Sequence, residues 1–518
     1  MTTVKRASLA VATVLGFALA ARAVSGELDA SLFAGVPEGG RISVLVVLRE
    51  QADLSGAEGI ADRAERRRFV FDALSGVASR SQAPLAARLR AEGISFRSHY
   101  LINMVEVETD RALAEEIAAR PEVARLASNR PSLLRRVPEA QPSDGAVPLD
   151  AVVGAPGPNL ERIGAPKVWA LGYAGENIVI GDADTGFDWG HPALHPHYRG
   201  SLRTGASHGW NWHDAVHDAA PGNVCGSDAI APCDDDGHGT STSALAVGDD
   251  GIGDVVGVAP RALLIGCRNM DHGAGTPARY TECFEFFLAP DDGTGKNLRP
   301  DLGADVINNS WGCPPSEGCT DPEILKDVVE RVRAAGIFVV VSAGNGGSDC
   351  ETVLDAPAIY EASFSIGATN NVDGIAGFSS RGPVTQDGSN RLKPEICAPG
   401  VSVRTAVKGG GFTNGFSGTS ASAPHVAGAV ALLWSADPSL RGNVDSTEQL
   451  LLATATPLTS DETCGAFPGS AVPNAVFGYG RIDIAAAVAL ALSGSPRVLV
   501  RPHAPSDARP RLLAPRTP

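Results

Sequence analysis

Between about residues 155 and 490, short and nearly continuous apolar runs alternate with stretches of helical spacing. This alternation limits the fold more than any other feature of the chain. The runs are Asn177–Ala183, Ala262–Gly266, Asp305–Asn308, Gly336–Val341 and Phe364–Gly367, with helical stretches such as Pro322–Ala335 between them. A strand with one wet face alternates apolar and polar residues, whereas a strand that is apolar throughout must be covered on both faces. Intervening helices supply that cover, so the pattern predicts an α/β domain with a mainly parallel sheet between two helical layers. In such sheets the side chains that do chemistry gather at the carboxyl ends of the strands.

The rest of the chain divides by composition. Residues 1–23 carry Lys5-Arg6, an apolar run from Ala7 to Ala20 and the small-x-small sequence Ala21-Arg22-Ala23. This is the pattern of a secretory signal peptide, and the run falls short of the roughly 20 residues that span a bilayer. The expectation is therefore a secreted protein without a stable membrane anchor, in a compartment where disulfides are permitted. Residues 24–136 hold no Cys and no Trp. They read as β-α-β-β-α-β: a strand at Arg41–Leu48, helical spacing over Asp62–Glu92, a hairpin at Ile94–Leu101 and Met104–Glu108, a helix over Asp110–Ala119 capped by Asp110, and a strand at Pro121–Leu126. That is a small ferredoxin-like α+β domain with no clustered His, Cys or Gly-rich loop. Residues 137–158 form a Pro/Gly-rich linker, 159–492 the main domain, and 493–518 a Pro/Arg-rich tail. The net charge of −16 and the lack of a Lys/Arg run argue against a nucleic-acid binder.

Four local patterns in the main domain carry chemistry. Asp184 ends the first apolar run and precedes the turn Thr185-Gly186. His238 stands between two glycines at the start of a helical stretch, so its ring can be approached closely. Asn345 lies between glycines just past the run ending at Val341, where an amide can donate to a developing oxyanion. Ser420 follows Gly418-Thr419 at the start of an apolar small-residue helix, near the positive end of the helix dipole. Singly, each reads equally well as a turn or capping residue.

In combination the four resemble the subtilisin-like serine peptidases, whose Asp…His…Ser chain order is a general feature of that fold. The resemblance covers essentially residues 159–490 and includes Gly257-Val-Ala-Pro260, Asp305-Val-Ile-Asn-Asn-Ser310-Trp-Gly312, Lys393-Pro-Glu-Ile-Cys-Ala-Pro-Gly400 and the highly specific run Gly418-Thr-Ser-Ala-Ser-Ala-Pro-His-Val-Ala-Gly428. Asn159-Leu-Glu-Arg-Ile-Gly-Ala-Pro166 and Asn211-Trp-His-Asp214 are most similar to the bacillopeptidase F branch. The resemblance implies a three-layer α/β/α domain and a triad of Asp184, His238 and Ser420. It further implies an oxyanion donor at Asn345 and a substrate-binding segment at Ser310, Trp311 and Gly312. It implies a propeptide in residues 24–136 that inhibits and chaperones its own enzyme, peptide or protein substrates, a monomer, and no cofactor for catalysis. Arg135-Arg136 is one candidate cut site.

Two positions depart from the family pattern. Asp182 shares a strand face with Asp184, and Ser241-Thr-Ser-Ala244 replaces the usual small-residue run after His-Gly-Thr. Asp234-Asp235-Asp236 and Asp291-Asp292 read either as solvated acidic loops or as structural calcium ligands of the kind many subtilases carry. Of nine cysteines, Cys225/Cys233 and Cys313/Cys319 are the expected disulfides, with Cys350/Cys464 a further candidate pair. At least one of Cys267, Cys283 and Cys397 is expected to be a buried thiol. Two competing readings remain: a catalytically silent secreted binding protein that keeps the fold, and an acid peptidase of the sedolisin type, against which His238 and Asn345 argue.

Overall fold

The computed structural model describes residues 26–28, 30–137, 156–317, 319, 321 and 323–494. The expected signal segment 1–23, most of the linker (138–155) and the tail from 495 lie outside the described residues.

The N-terminal unit consists of β1 (Glu27–Leu28), β2 (Ile42–Leu48), α1 (Arg63–Ser81), α2 (Ala83–Ala91), β3 (Phe96–His99), β4 (Met104–Thr109), α3 (Arg111–Ala118) and β5 (Val123–Ser128). Its sheet has the order β1-β5-β2-β4-β3. Asp110 caps α3 as expected, accepting from Leu113 N at 2.9 Å. The single helical span expected over Asp62–Glu92 is two helices. Pro84 has no N–H to continue the ladder, and the Gln82 amide at the break donates to His99 O and Asn103 Oδ1. One face of the sheet (Val44, Val46, Val105, Val107) buries α2 and α3. The other face (Leu45, Val47, Met104) joins the core of the second unit.

After β5 the chain continues through β6 (Ser132–Leu133) into the second unit. There follow α4 (Pro158–Ile163), α5 (Ala165–Ala170), β7 (Val179–Asp184), β8 (Trp212–Asp214), α6 (His238–Val247), β9 (Leu263–Arg268), β10 (Met270–Asp271), β11 (Ala274–Gly275), α7 (Pro277–Leu288), β12 (Val306–Asn309), α8 (Glu323–Ala334), β13 (Phe338–Ser342), β14 (Phe364–Thr369), β15 (Ile396–Pro399), α9 (Thr419–Ala436), α10 (Val444–Thr454) and α11 (Ile484–Leu492). The main sheet has seven strands in the order β15-β14-β13-β12-β7-β9-β8, and every pairing is parallel.

Alternate residues of its strands feed different layers. Ile180, Val306, Phe338, Val340 and Phe364 pack with α6, α9, α10 and α11 on one face. Val179, Ile307, Val339 and Val341 pack with α7 and α8 on the other. Burying each such side chain contributes about 1.5–3 kcal/mol, which is why these strands carry no polar alternation. The expected strands are all present, with no end displaced by more than two residues.

The N-terminal unit seats on α7 and α8. Besides the shared apolar core, Glu285 of α7 accepts the backbone N–H groups of Tyr100 and Leu101, and Asp305 accepts Arg63 Nη1 at 2.8 Å. Cysteine pairing follows the expectation: Cys225–Cys233, Cys313–Cys319 and Cys350–Cys464 are bonded. Cys267 and Cys283 form a fourth disulfide, and Cys397 is the buried thiol among the described residues. No helix among the described residues is long and apolar enough to cross a membrane.

Candidate active site

The strand order reverses between β7 and β12: β8 and β9 lie to one side of β7, and β12 to β15 to the other. A crevice opens at the carboxyl ends of strands at such a point. The motif residues collect along that edge. Asp184 is the last residue of β7, Ser310 follows β12, Asn345 follows β13, and Ser420 is the second residue of α9.

Asp184 and His238 are joined directly: His238 Nδ1 stands 2.8 Å from Oδ1 and 3.0 Å from Oδ2 of Asp184. Asp184 Oδ1 also accepts the Thr185 N–H at 2.7 Å, so the carboxylate is fixed before the histidine reaches it. A residue bulkier than glycine at 239 would not fit. Its Cβ would stand 3.0 Å from Asp184 Cβ and would overlap the Gly186 carbonyl, which accounts for the glycine after His238. Burial pushes the His238 ring towards its neutral form. The charge and hydrogen bond of Asp184, with Asp236 and Asp182, outweigh that and hold its pKa above the ordinary histidine value.

The two departures from the family pattern compensate each other. Asp182 turns to Thr242 Oγ1 (3.0 Å), Ser243 Oγ (2.6 Å) and Asn308 Nδ2 (2.8 Å) rather than to His238. The hydroxyls in α6 satisfy the extra carboxylate on the strand. Burial and the neighbouring Asp184 charge nevertheless push the Asp182 carboxyl well up from its usual range.

Ser420 is tied to the end of β12. Its Oγ donates to Ser310 O at 3.0 Å, so its hydroxyl is turned towards Ser310 and not towards His238. The Ser310 hydroxyl donates in return to Ser420 O at 3.2 Å. That carbonyl needs an outside donor because Pro424, four residues on in α9, has no N–H to give it. His425 is structural: buried, pushed down to about 4 by desolvation, its two ring nitrogens engage Ala421 O and Asn159 Nδ2.

Asn345 is oriented by a residue that sequence reasoning left without a role. Its Oδ1 accepts both the N–H and the hydroxyl of Thr419, each at 3.0 Å. Its Nδ2 is thereby aimed outward, and it donates to Arg135 O at 3.0 Å. The chain's own segment therefore presents a peptide carbonyl beside Ser420. Upstream, Ser132–Leu133 pair antiparallel with Ala274–Gly275, and Leu134 N donates to Gly273 O at 2.8 Å. Beyond the carbonyl, Arg136 is ion-paired with Asp236. Leu134 and Arg135 share a pocket with Ser310, Gly312, Asp355 and Ser420. Asp355 had no signal in the sequence. The Trp311 indole is stacked on Tyr280 with ring centroids 3.8 Å apart, and its N–H donates to Ala183 O at 3.0 Å, bracing β7 beneath the site.

The acidic loops bond to their own chain. Asp234 accepts from Thr185 Oγ1, Gly237 N and Thr240 N, Asp235 pairs with Arg268, and Asp291 accepts from Gly293 N and Gly295 N. Among the described residues no three His, Cys, Asp or Glu side chains converge as a metal-holding group.

A family model described as "Subtilase family" matches residues 175–480. The chain is 35% identical over 447 residues to bacillopeptidase F of Bacillus subtilis (strain 168), an alignment that covers 83% of this chain and 29% of that protein. This chain thus spans less than a third of that relative's length. It is 31% identical over 300 residues to subtilisin of Bacillus pumilus, covering 56% of this chain and 91% of that protein. The same identity and length hold for subtilisin E of Bacillus subtilis (strain 168), with 66% of that protein covered.

Proposed function

The chain belongs to the subtilase family, and from that premise we propose that it is a secreted serine endopeptidase, made as a precursor that cuts itself. The observation that carries this reading is the Arg135 carbonyl held by Asn345 Nδ2 at 3.0 Å, in the pocket that Ser420 lines.

In the reaction, Ser420 Oγ gives up its bond to Ser310 O and is deprotonated by His238 Nε2 as it attacks the scissile carbonyl carbon. Catalytic hydrogen bonds of this kind commonly close only in the Michaelis complex. Asp184 holds the Nδ1 proton, which leaves the Nε2 lone pair to take the serine proton, and stabilises the imidazolium that forms. The carbonyl oxygen becomes an oxyanion held by Asn345 Nδ2 and the Ser420 N–H. His238 then passes the proton to the departing amine. A water, deprotonated by the same ring, releases the acyl group and restores Ser420. No cofactor enters this scheme.

The N-terminal unit acts as the propeptide. Its last residues occupy the pocket beside Ser420, which supports an inhibitory role until the chain is cut behind it. Secretion rests on the basic, apolar and small-x-small order of residues 1–23. The substrates are peptides or proteins, and the mature enzyme works as a monomer.

The test is the Ser420→Ala variant of the full chain. We expect the purified variant to keep its precursor mass while the wild type separates into two fragments, and a fluorophosphonate to label Ser420 of the processed wild type. Normal maturation of the purified variant sinks self-processing. Correctly folded, processed wild type that takes no label at Ser420 is the silent binding protein instead.

A further inference from the structure

The pocket beside the Arg135 carbonyl has two glycine walls and a carboxylate. Besides Leu134 and Arg135 themselves, its lining includes Ser310, Gly312, Ser342, Gly344 and Asp355. The Asp355 carboxylate lies between two walls that carry no side chain. Its Oδ2 is 2.8 Å from where a Cβ on Gly312 would stand and 3.5 Å from where one on Gly344 would stand. Asp355 is 7% exposed, so the charge belongs to the pocket and not to the open surface. The backbone fixes it there: Cys313 N donates to Ala356 O at 2.7 Å, tying the segment after Gly312 to the residue after Asp355. The residue whose carbonyl Asn345 holds, and which shares this pocket, is an arginine.

We propose that Asp355 makes this pocket selective for a basic side chain, arginine above all, so that the protein's substrates are peptides cut on the carboxyl side of a basic residue, the first of them its own Arg135–Arg136 bond. The proposal rests on the serine endopeptidase reading of the site. A guanidinium entering the slot brings a planar set of donors that matches a carboxylate. An apolar side chain would desolvate the same carboxylate and return no charge, and an acidic one would add like-charge repulsion. Glycine at 312 and 344 leaves room for the long stem of the cation. At the self-cleaved bond, Ser420 Oγ bonds to the Arg135 carbonyl carbon as the bond to Arg136 N breaks. The serine proton passes through His238 to that nitrogen. Arg136, ion-paired with Asp236, is then the new amino terminus.

The experiment compares peptide anilides that differ only in the residue before the scissile bond (Arg, Lys, Leu, Phe, Glu). Rates on processed wild-type protein are normalised by fluorophosphonate titration of Ser420. The expected result is kcat/KM for Arg at least about 100-fold above Leu or Phe, with Glu lowest. In Asp355→Ser the Arg-to-Leu ratio should collapse to within a few fold, and the amino terminus of mature wild type should read Arg136. Should Asp355→Ser fail to fold, the full chain carrying Arg135→Glu tests the same point with the pocket intact, and cleavage at that bond should slow at least about tenfold. Wild type that takes the label yet prefers Leu or Phe overturns the specificity and leaves the peptidase reading standing. Wild type that takes no label overturns the peptidase reading itself.

Discussion

Asn345 offers the sharpest quantitative test, because its amide is set by one neighbour and used by one acceptor. Its Nδ2 reaches the peptide carbonyl at 3.0 Å, and its Oδ1 is pinned by two Thr419 donors at 3.0 Å each. In the ground state the acceptor is a neutral carbonyl, and such a bond is worth about 1 kcal/mol net. In the transition state the acceptor carries charge, and a bond to a charged group reaches about 1.5–3 kcal/mol. The difference alone, up to about 2 kcal/mol, predicts a loss of roughly 30-fold when the donor is removed. Preorganisation raises this, since the pinned amide need not turn when the charge appears, and removal of the side-chain donor in subtilisin itself costs about 10²–10³ in kcat. Asn345→Ala should therefore lower kcat by between about 30-fold and 10³-fold with KM little changed. Thr419→Ala removes one of the two pins and should cost about fivefold, the worth of one neutral hydrogen bond. Because Thr419 acts through Asn345, it should cost almost nothing further in the Asn345→Ala background. The assay is steady-state anilide hydrolysis on titrated enzyme for wild type, both single variants and the double. A loss below about tenfold in Asn345→Ala, or two single effects that simply multiply in the double variant, refutes the reasoning.

Three other outcomes follow from the same contacts. The acid limb of kcat/KM should lie above the ordinary histidine pKa, because Asp184, Asp236 and Asp182 stabilise protonated His238 against its burial. Only the neutral ring acts as base, so Asp182→Asn, which removes one stabilising charge, should move that limb to lower pH. A pH–rate profile in which it stays or rises contradicts the assignment. The Cys350–Cys464 bridge spans 114 residues and Cys313–Cys319 only 6. On loop entropy, removing the first should cost about 4.7 kcal/mol and the second about 2 kcal/mol, read as urea unfolding of fluorophosphonate-blocked protein. Equal losses would mean that chain entropy is not the governing term. Cys397 is fully buried and desolvation pushes its thiol far up, so native protein should show no rapid reaction with a disulfide reagent, and guanidinium-unfolded protein should show one thiol equivalent.

Much of the fold is legible because burial on both faces leaves a mark that does not depend on context. Phe338–Val341 is apolar throughout because Phe338 and Val340 face one helical layer and Val339 and Val341 the other. What escapes is what tertiary contacts decide. Trp212–Asp214 is a three-residue edge strand whose Asp214 binds the Arg268 guanidinium, so its residues do not look like a strand. The break at Gln82 leaves the helical spacing running through it. The bonds that use it are made to His99 and Asn103, which belong to a hairpin further along the chain.

The site divides the same way, and the division separates reaction from specificity. Asp184, His238, Asn345 and Ser420 each occupy a turn that neighbouring residues must build, so contiguous motifs reveal them: Gly239 admits the approach to Asp184, and Thr419 pins Asn345 from the position before the serine. Relations between segments leave no such mark. Nothing at Asp182 announces that Thr242 and Ser243, sixty residues on, will absorb its charge. Asp355 is more obscure still, an aspartate between Leu354 and Ala356 in a loop of no evident pattern. It becomes part of the pocket only because the bridge between Cys313 and Ala356 brings its loop against Gly312. Many residues on that loop, or on another, would supply a charge equally well, so no local rule requires it where it stands. A chain of this kind can therefore declare its reaction in short motifs, while the carboxylate we propose as the selector of its substrate is one that only the closed fold brings to the site.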